Sequence, residues 1–133
     1  MIDVAALAAR DIFARTLGIE FVEASLGRVV TRVAIEERHL NFNGVGHGGL
    51  TFTLADAAFG YACNSQGVVS GSIDAHIVYS VAVRLGDVLI ATAVEISRSS
   101  KASNYRIDVV RADGKLVAAM TGTALISGKP VVM

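Results

Sequence analysis

Cysteine and proline are almost missing from this chain, and its charges cancel. Cys63 is the single cysteine, so no disulfide can close within the chain, and a reducing compartment such as the cytoplasm is the natural setting. Pro130 is the single proline and lies in the tail, and no repeat, linker or low-complexity tract divides the rest. One domain over residues 1–133 is the expectation. Twelve basic and twelve acidic residues balance, which provides no general attraction for nucleic acid or an anionic membrane. Met1-Ile2-Asp3-Val4 has no basic stretch before an apolar run, so no signal peptide is read there. Histidine and cysteine never fall at zinc-ligand spacing, and no metal or cofactor is expected.

Apolar residues, by contrast, are abundant at 53%, against 18% charged. That suffices for a core, and in so small a chain some of the surplus is expected to be buried between subunits. Ile2 to Leu17 has near-helical apolar spacing and reads as one short amphipathic helix closed by Gly18. Ile19–Glu23 and Arg28–Ile35 are β-type runs around a hairpin signal, and Glu36–Gly46 is a polar loop. Gly48–Asn64 is rich in strong helix formers and poor in β-branched residues, which predicts a helix. Val68–Val83, Val88–Ile96, Tyr105–Arg111 and Leu116–Ile126 then read as strands, the last two joined by an Asp113-Gly114 turn. Hairpin-linked strands make an antiparallel sheet, and the one long helix must cover a face of it, which is an α+β, two-layer architecture.

The long helix is apolar around its whole circumference, and Asp56 is its only ionisable acid or base outside Tyr61 and Cys63. An isolated carboxylate in such surroundings costs several kcal/mol unless bonded or paired. Burial also raises its pKa toward the range of a general base. Two readings stand at this level: a structural carboxylate on a narrow solvated stripe or bonded to nearby backbone, or a catalytic base. Immediately upstream runs Asn41-Phe42-Asn43-Gly44-Val45-Gly46-His47-Gly48-Gly49. Glycines at a helix start allow close approach to N–H groups that favour negative charge, such as a developing oxyanion. An ordinary glycine-rich entry to a helix is the competing reading, and His47 alone is more often a structural hydrogen-bonder.

Asn41-x-x-Gly44-x-x-His47-Gly48-Gly49 followed by Leu54-Ala55-Asp56 resembles the motif of hotdog-fold acyl-CoA thioesterases of the phenylacetate-degradation (PaaI) type. Ala58-Phe59-Gly60-Tyr61-Ala62-Cys63-Asn64-Ser65-Gln66-Gly67 is especially close to that subgroup, and the resemblance runs from about residue 15 to 126. It implies a curved antiparallel sheet wrapped around the Gly48–Asn64 helix. It also implies edge-to-edge homodimers, usually paired into tetramers, with each site shared between two chains. By resemblance Asp56 is general base or nucleophile, the Gly48 N–H polarises the thioester carbonyl, and Asn41 and His47 orient water, carbonyl or the loop. Gly49 and Ser72 match substrate-side positions. Arg98 and Lys101 in the Ser97–Lys101 segment are candidates to grip CoA phosphates, or simply members of a solvated turn.

Two departures stand out. Relatives commonly carry Arg-Pro after the strand tyrosine, where this chain has Ser80-Val81-Ala82-Val83. Some carry a histidine near the last strand's end, where Leu125-Ile126 stands here. The expected activity is hydrolysis of acyl-CoA, with an aryl-acetyl or hydroxylated aromatic acyl group favoured by the subgroup. Cys63 as nucleophile is the rival within that class, set against by its apolar context. A hotdog hydratase or dehydratase is one alternative, although no histidine follows Asp56 in its helix. A non-catalytic acyl-CoA-binding module is the other, although the chain has no evident DNA-binding segment.

Overall fold

A computed structural model describes residues 1–133. Two short helices, α1 (Val4–Ala9) and α2 (Ile12–Thr16), precede strands β1 (Glu20–Ser25) and β2 (Arg28–Ala34). A 3-10 turn, Glu37–His39, leads to helix α3 (Gly48–Asn64). Four strands complete the chain: β3 (Val68–Tyr79), β4 (Val88–Arg98), β5 (Ala102–Arg111) and β6 (Leu116–Pro130). The six strands form one sheet in the order β1-β2-β4-β5-β6-β3, and every pairing is antiparallel. No helix is long and apolar enough to cross a membrane.

The single amphipathic helix expected over Ile2–Leu17 is in fact two. Asp3 caps α1 by accepting from Ala6 N–H, and Asp11 caps α2 by accepting from Ala14 N–H, both in extended backbone. A side chain that satisfies a helix's own first amides starts a new helix, and Asp11 does this in the middle of the run. The strand expected to continue to Val83 ends at Tyr79, because Ser80–Val83 turns inward and the Val83 carbonyl accepts from Gly46 N–H at 2.6 Å. Conversely β6 runs four residues past Ile126 and ends on Pro130, opposite Val68. Proline is tolerated at such a strand end, where it has no partner to donate to.

Helix α3 lies on the concave face of the sheet. Its buried Leu54, Ala55, Ala58, Phe59 and Ala62 share the core with Val29 and Val33 of β2, Leu89, Ala91 and Ala93 of β4, Tyr105, Ile107 and Val109 of β5, and Met120 of β6. Alanines on both layers allow helix and strands to approach closely. Polar groups tie the layers together: Thr31 donates to the Leu54 carbonyl at 3.0 Å, and the Tyr105 hydroxyl lies 3.2 Å from the Ala62 carbonyl. Phe59, fully buried, stacks tilted on Tyr105 with ring centroids 5.5 Å apart. Burying one such ring contributes roughly 1.5–3 kcal/mol. Gly122 of β6 makes room for it, since a Cβ there would lie 2.5 Å from Phe59 Cε2.

Register partners share a face, so Ser72, Ala75, Ile77 and Tyr79 of β3 point to the helix side with Ala124, Gly122, Met120 and Ala118 of β6. Strand β3 bonds only to β6, which leaves its other edge unpaired along twelve residues. Val69, Ile73, Val78 and Tyr79 on it are large and exposed.

Candidate active site

The start of α3 is built by short-range polar contacts. The Asn41 side-chain oxygen accepts from the N–H groups of Asn43 at 2.8 Å and Val45 at 3.3 Å, which closes the loop through Gly44 at φ +73°. A Cβ on Gly46 would lie 2.8 Å from Val83 Cγ1, so glycine there permits the 80–83 segment to press against the loop. His47 is the N-cap: its Nδ1 accepts from Gly49 N–H at 2.8 Å. In the neutral ring the proton therefore sits on Nε2. The His47 carbonyl accepts from Leu50 and Thr51. Gly48 N–H alone has no acceptor in the chain. It is an unspent donor at a helix N-terminus, the arrangement that stabilises an oxyanion. Tyr79 OH donates to the Gly48 carbonyl at 2.9 Å, and its ring packs against the glycine.

Asp56 lies two turns further along α3. The helix is not closed on every side as its sequence suggests: Thr53, Asp56, Gly60 and Asn64 form a partly open stripe. Asp56 sits in a cavity of about 210 Å³ with Asp11, Phe13, Ala14, Thr53, Ala57, Gly60 and Tyr61. Burial, and secondarily the charge of Asp11, pushes its carboxyl above the ordinary aspartate value. Its oxygens accept no hydrogen bond from the chain, unlike a structural carboxylate bonded to backbone. The half-open stripe anticipated by the structural reading is nevertheless present.

Gly48 and Asp56 are eight residues apart on one helix, which at 1.5 Å per residue is ~12 Å. One thioester carbon cannot touch both within a single chain. The structure thus brings Asn41, His47, Gly48 and Gly49 together and leaves Asp56 apart from them. Ser72 stands on the helix-side face of the free-edged β3, opposite Ala124. Arg98 is paired with Glu95 at 3.4 Å, and the same Glu95 oxygen accepts from Gln66 and Tyr105, each at 2.9 Å. Lys101 is exposed in the β4–β5 turn and makes no ion pair. Cys63 is buried, and burial pushes its thiol up to about 11.

Asp11, Phe13, Thr53 and Tyr61 are neighbours of Asp56 that no catalytic motif in the sequence marks. Tyr61 OH donates to Asp11 Oδ2 at 2.7 Å, and this joins α2 to α3. A capping pattern, aspartate three residues before an alanine in a helical run, is the signal that marks Asp11.

A six-stranded antiparallel sheet curled over one central helix is the architecture of the hotdog class. The family description matching residues 43–118 is the thioesterase superfamily, and the chain belongs to it. Among its relatives, the acyl-coenzyme A thioesterase PaaI of Escherichia coli K12 is 35% identical over 112 residues, which is 84% of this chain and 80% of that one. The solved structure of the E. coli PaaI protein, from the phenylacetic acid degradation operon, superposes with a TM-score of 0.92 at 32% identity, over 96% of this chain and 92% of that one. A Streptococcus mutans structure bound to acetyl-CoA matches with a TM-score of 0.81 at 26% identity, over 85% and 91% of the two chains. The chain is an acyl-CoA thioesterase of the PaaI type, a thioester hydrolase.

Proposed function

We propose that this chain hydrolyses acyl-CoA in a site completed by a second copy of itself, with Asp56 of one subunit facing the Gly48 N–H of the other. One observation carries the reading. The same helix bears an unspent amide donor at its start and an unbonded, desolvated carboxylate ~12 Å along it. Each half lacks its complement, and a twofold pairing supplies both at once. The open edge of β3, with exposed Ile73, Val78 and Tyr79, supports edge-to-edge pairing. A dimer of such dimers is the proposed assembly, and the cytoplasm its proposed location.

Asp56 then either removes a proton from water, which attacks the carbonyl carbon, or attacks that carbon itself to form an anhydride that water opens. In both routes the carbon–sulfur bond breaks, CoA leaves as thiolate and takes up a proton, and the acyl group departs as free acid. The partner's oxyanion donor at such a step is worth on the order of 3–4 kcal/mol. Asn41 and His47 hold the donor loop in shape, while Gly49 and Ser72 border the substrate. For the CoA phosphates, exposed Lys101 is better suited than Arg98, whose charge is engaged by Glu95. An aryl-acetyl or hydroxylated aromatic acyl group is the proposed substrate class, supported by the likeness to the PaaI relative.

The test is Asp56→Asn, assayed by release of free CoA thiol. The expected outcome is a fall in kcat of ~100-fold or more with the fold retained by circular dichroism, since asparagine is nearly isosteric. Turnover near the wild-type rate would remove Asp56 from the mechanism.

A further inference from the structure

We propose that Asp11 is a positioning residue for Asp56: a second, immobilised carboxylate that α2 brings into the Asp56 cavity, where its negative charge strengthens Asp56 as a base. The inference rests on the reading of Asp56 as the catalytic carboxylate. Asp11 is held from two sides. Its Oδ1 accepts from Ala14 N–H at 3.1 Å and its Oδ2 from Tyr61 OH at 2.7 Å. Tyr61 is itself buried and lies on α3 five residues after Asp56, so the bond docks α2 beside the reacting carboxylate.

No cation lines the shared cavity. The ionisable groups facing Asp56 are Asp11 from α2 and Tyr61 from α3, and Cys63 senses its charge from further along α3. The strands contribute no residue to the lining. Arg10 belongs to the adjoining cavity and donates instead to the Val132 carbonyl at 2.7 Å. Asp11 borders that cavity too, but no ion pair with Arg10 neutralises it, and its charge disfavours ionisation of Asp56, in the same direction as burial. A carboxylate that binds its proton more tightly is the stronger base or nucleophile once ionised. Capping α2 requires an acceptor at residue 11 but not a charge, which makes the two roles separable.

The experiment follows the Asp56 carboxyl by carbon NMR through a pH titration, its signal assigned by loss in Asp56→Asn. Asp11→Asn keeps the cap, and its amide N–H can donate to the Tyr61 oxygen. It is expected to lower the Asp56 midpoint by roughly half a pH unit or more. The acid limb of kcat/KM should move with it, and the plateau should drop about two-fold. Tyr61→Phe, which keeps the charge, is expected not to lower the midpoint. An unchanged midpoint in Asp11→Asn, or an equal fall in Tyr61→Phe, would overturn the proposal. Turnover retained by Asp56→Asn would instead overturn the catalytic reading, a separate failure, because the carboxyl titration reads the Asp11 coupling without any turnover.

Discussion

Two residues on α3 could in principle attack a thioester, and their surroundings differ. Asp56 opens into a cavity and accepts no bond, while Cys63 is buried with its Sγ 3.4 Å from the Gly60 carbonyl and 3.9 Å from that of Ser70. With the thiol pushed up to about 11, mostly by burial, almost no thiolate exists at neutral pH. Cys63→Ser should therefore leave kcat within a few-fold of wild type, because a serine hydroxyl can donate to the Gly60 carbonyl that the thiol already faces. Steady-state thiol release across an acyl-CoA panel checks this. A loss as large as that expected for Asp56→Asn would transfer the nucleophile to Cys63.

At the scale of elements, α3 has a closed side and an open side, and two glycines report on them. Gly122 of β6 faces the closed side, where Phe59 has no room to retreat. Gly122→Ala should destabilise the fold by ~1–3 kcal/mol through overpacking, read as a lower denaturant midpoint. Gly60 lies on the open stripe, and a Cβ there would meet no atom within 4 Å. Gly60→Ala should not destabilise and should gain up to about 1 kcal/mol from helix propensity. A loss at position 60 equal to that at 122 would mean that the stripe is not open.

Assembly belongs to the whole molecule, and its test combines two variants, each expected to be inactive. Asp56→Asn removes the carboxylate. Gly48→Pro removes the amide donor at a first-turn position where proline is well tolerated. A Cβ at Gly48 lies 3.3 Å from the Tyr79 ring, which is half-exposed and can yield. Under verified subunit exchange, half of the dimers are mixed, and each has one site with both lesions and one with neither. Recovery of roughly a quarter of wild-type activity per total site is expected for independent sites. No recovery would count against a site shared between subunits.

Local chemistry determined much of this protein. Helix formers across Gly48–Asn64 yield a helix with those bounds, and Asp113-Gly114 closes its hairpin with Gly114 at φ +91°. The His47-Gly48-Gly49 run and Asp56 were visible as candidates because their signals, a glycine-rich helix entry and an acid in an apolar helix, lie within a few residues of sequence. What the tertiary structure alone decided depends on contacts between distant segments. Asp11 meets Tyr61 across 50 positions, and Arg98 is claimed by a Glu95 cluster that also gathers Gln66 and Tyr105. Apolar residues around the whole circumference of α3 suggest burial on nearly every side, yet the sheet wraps only part of it, because a curved sheet can cover one face of a helix and not its whole circumference. That geometry leaves the Asp56 stripe open, and the fixed rise of the helix then separates it from Gly48 within one chain.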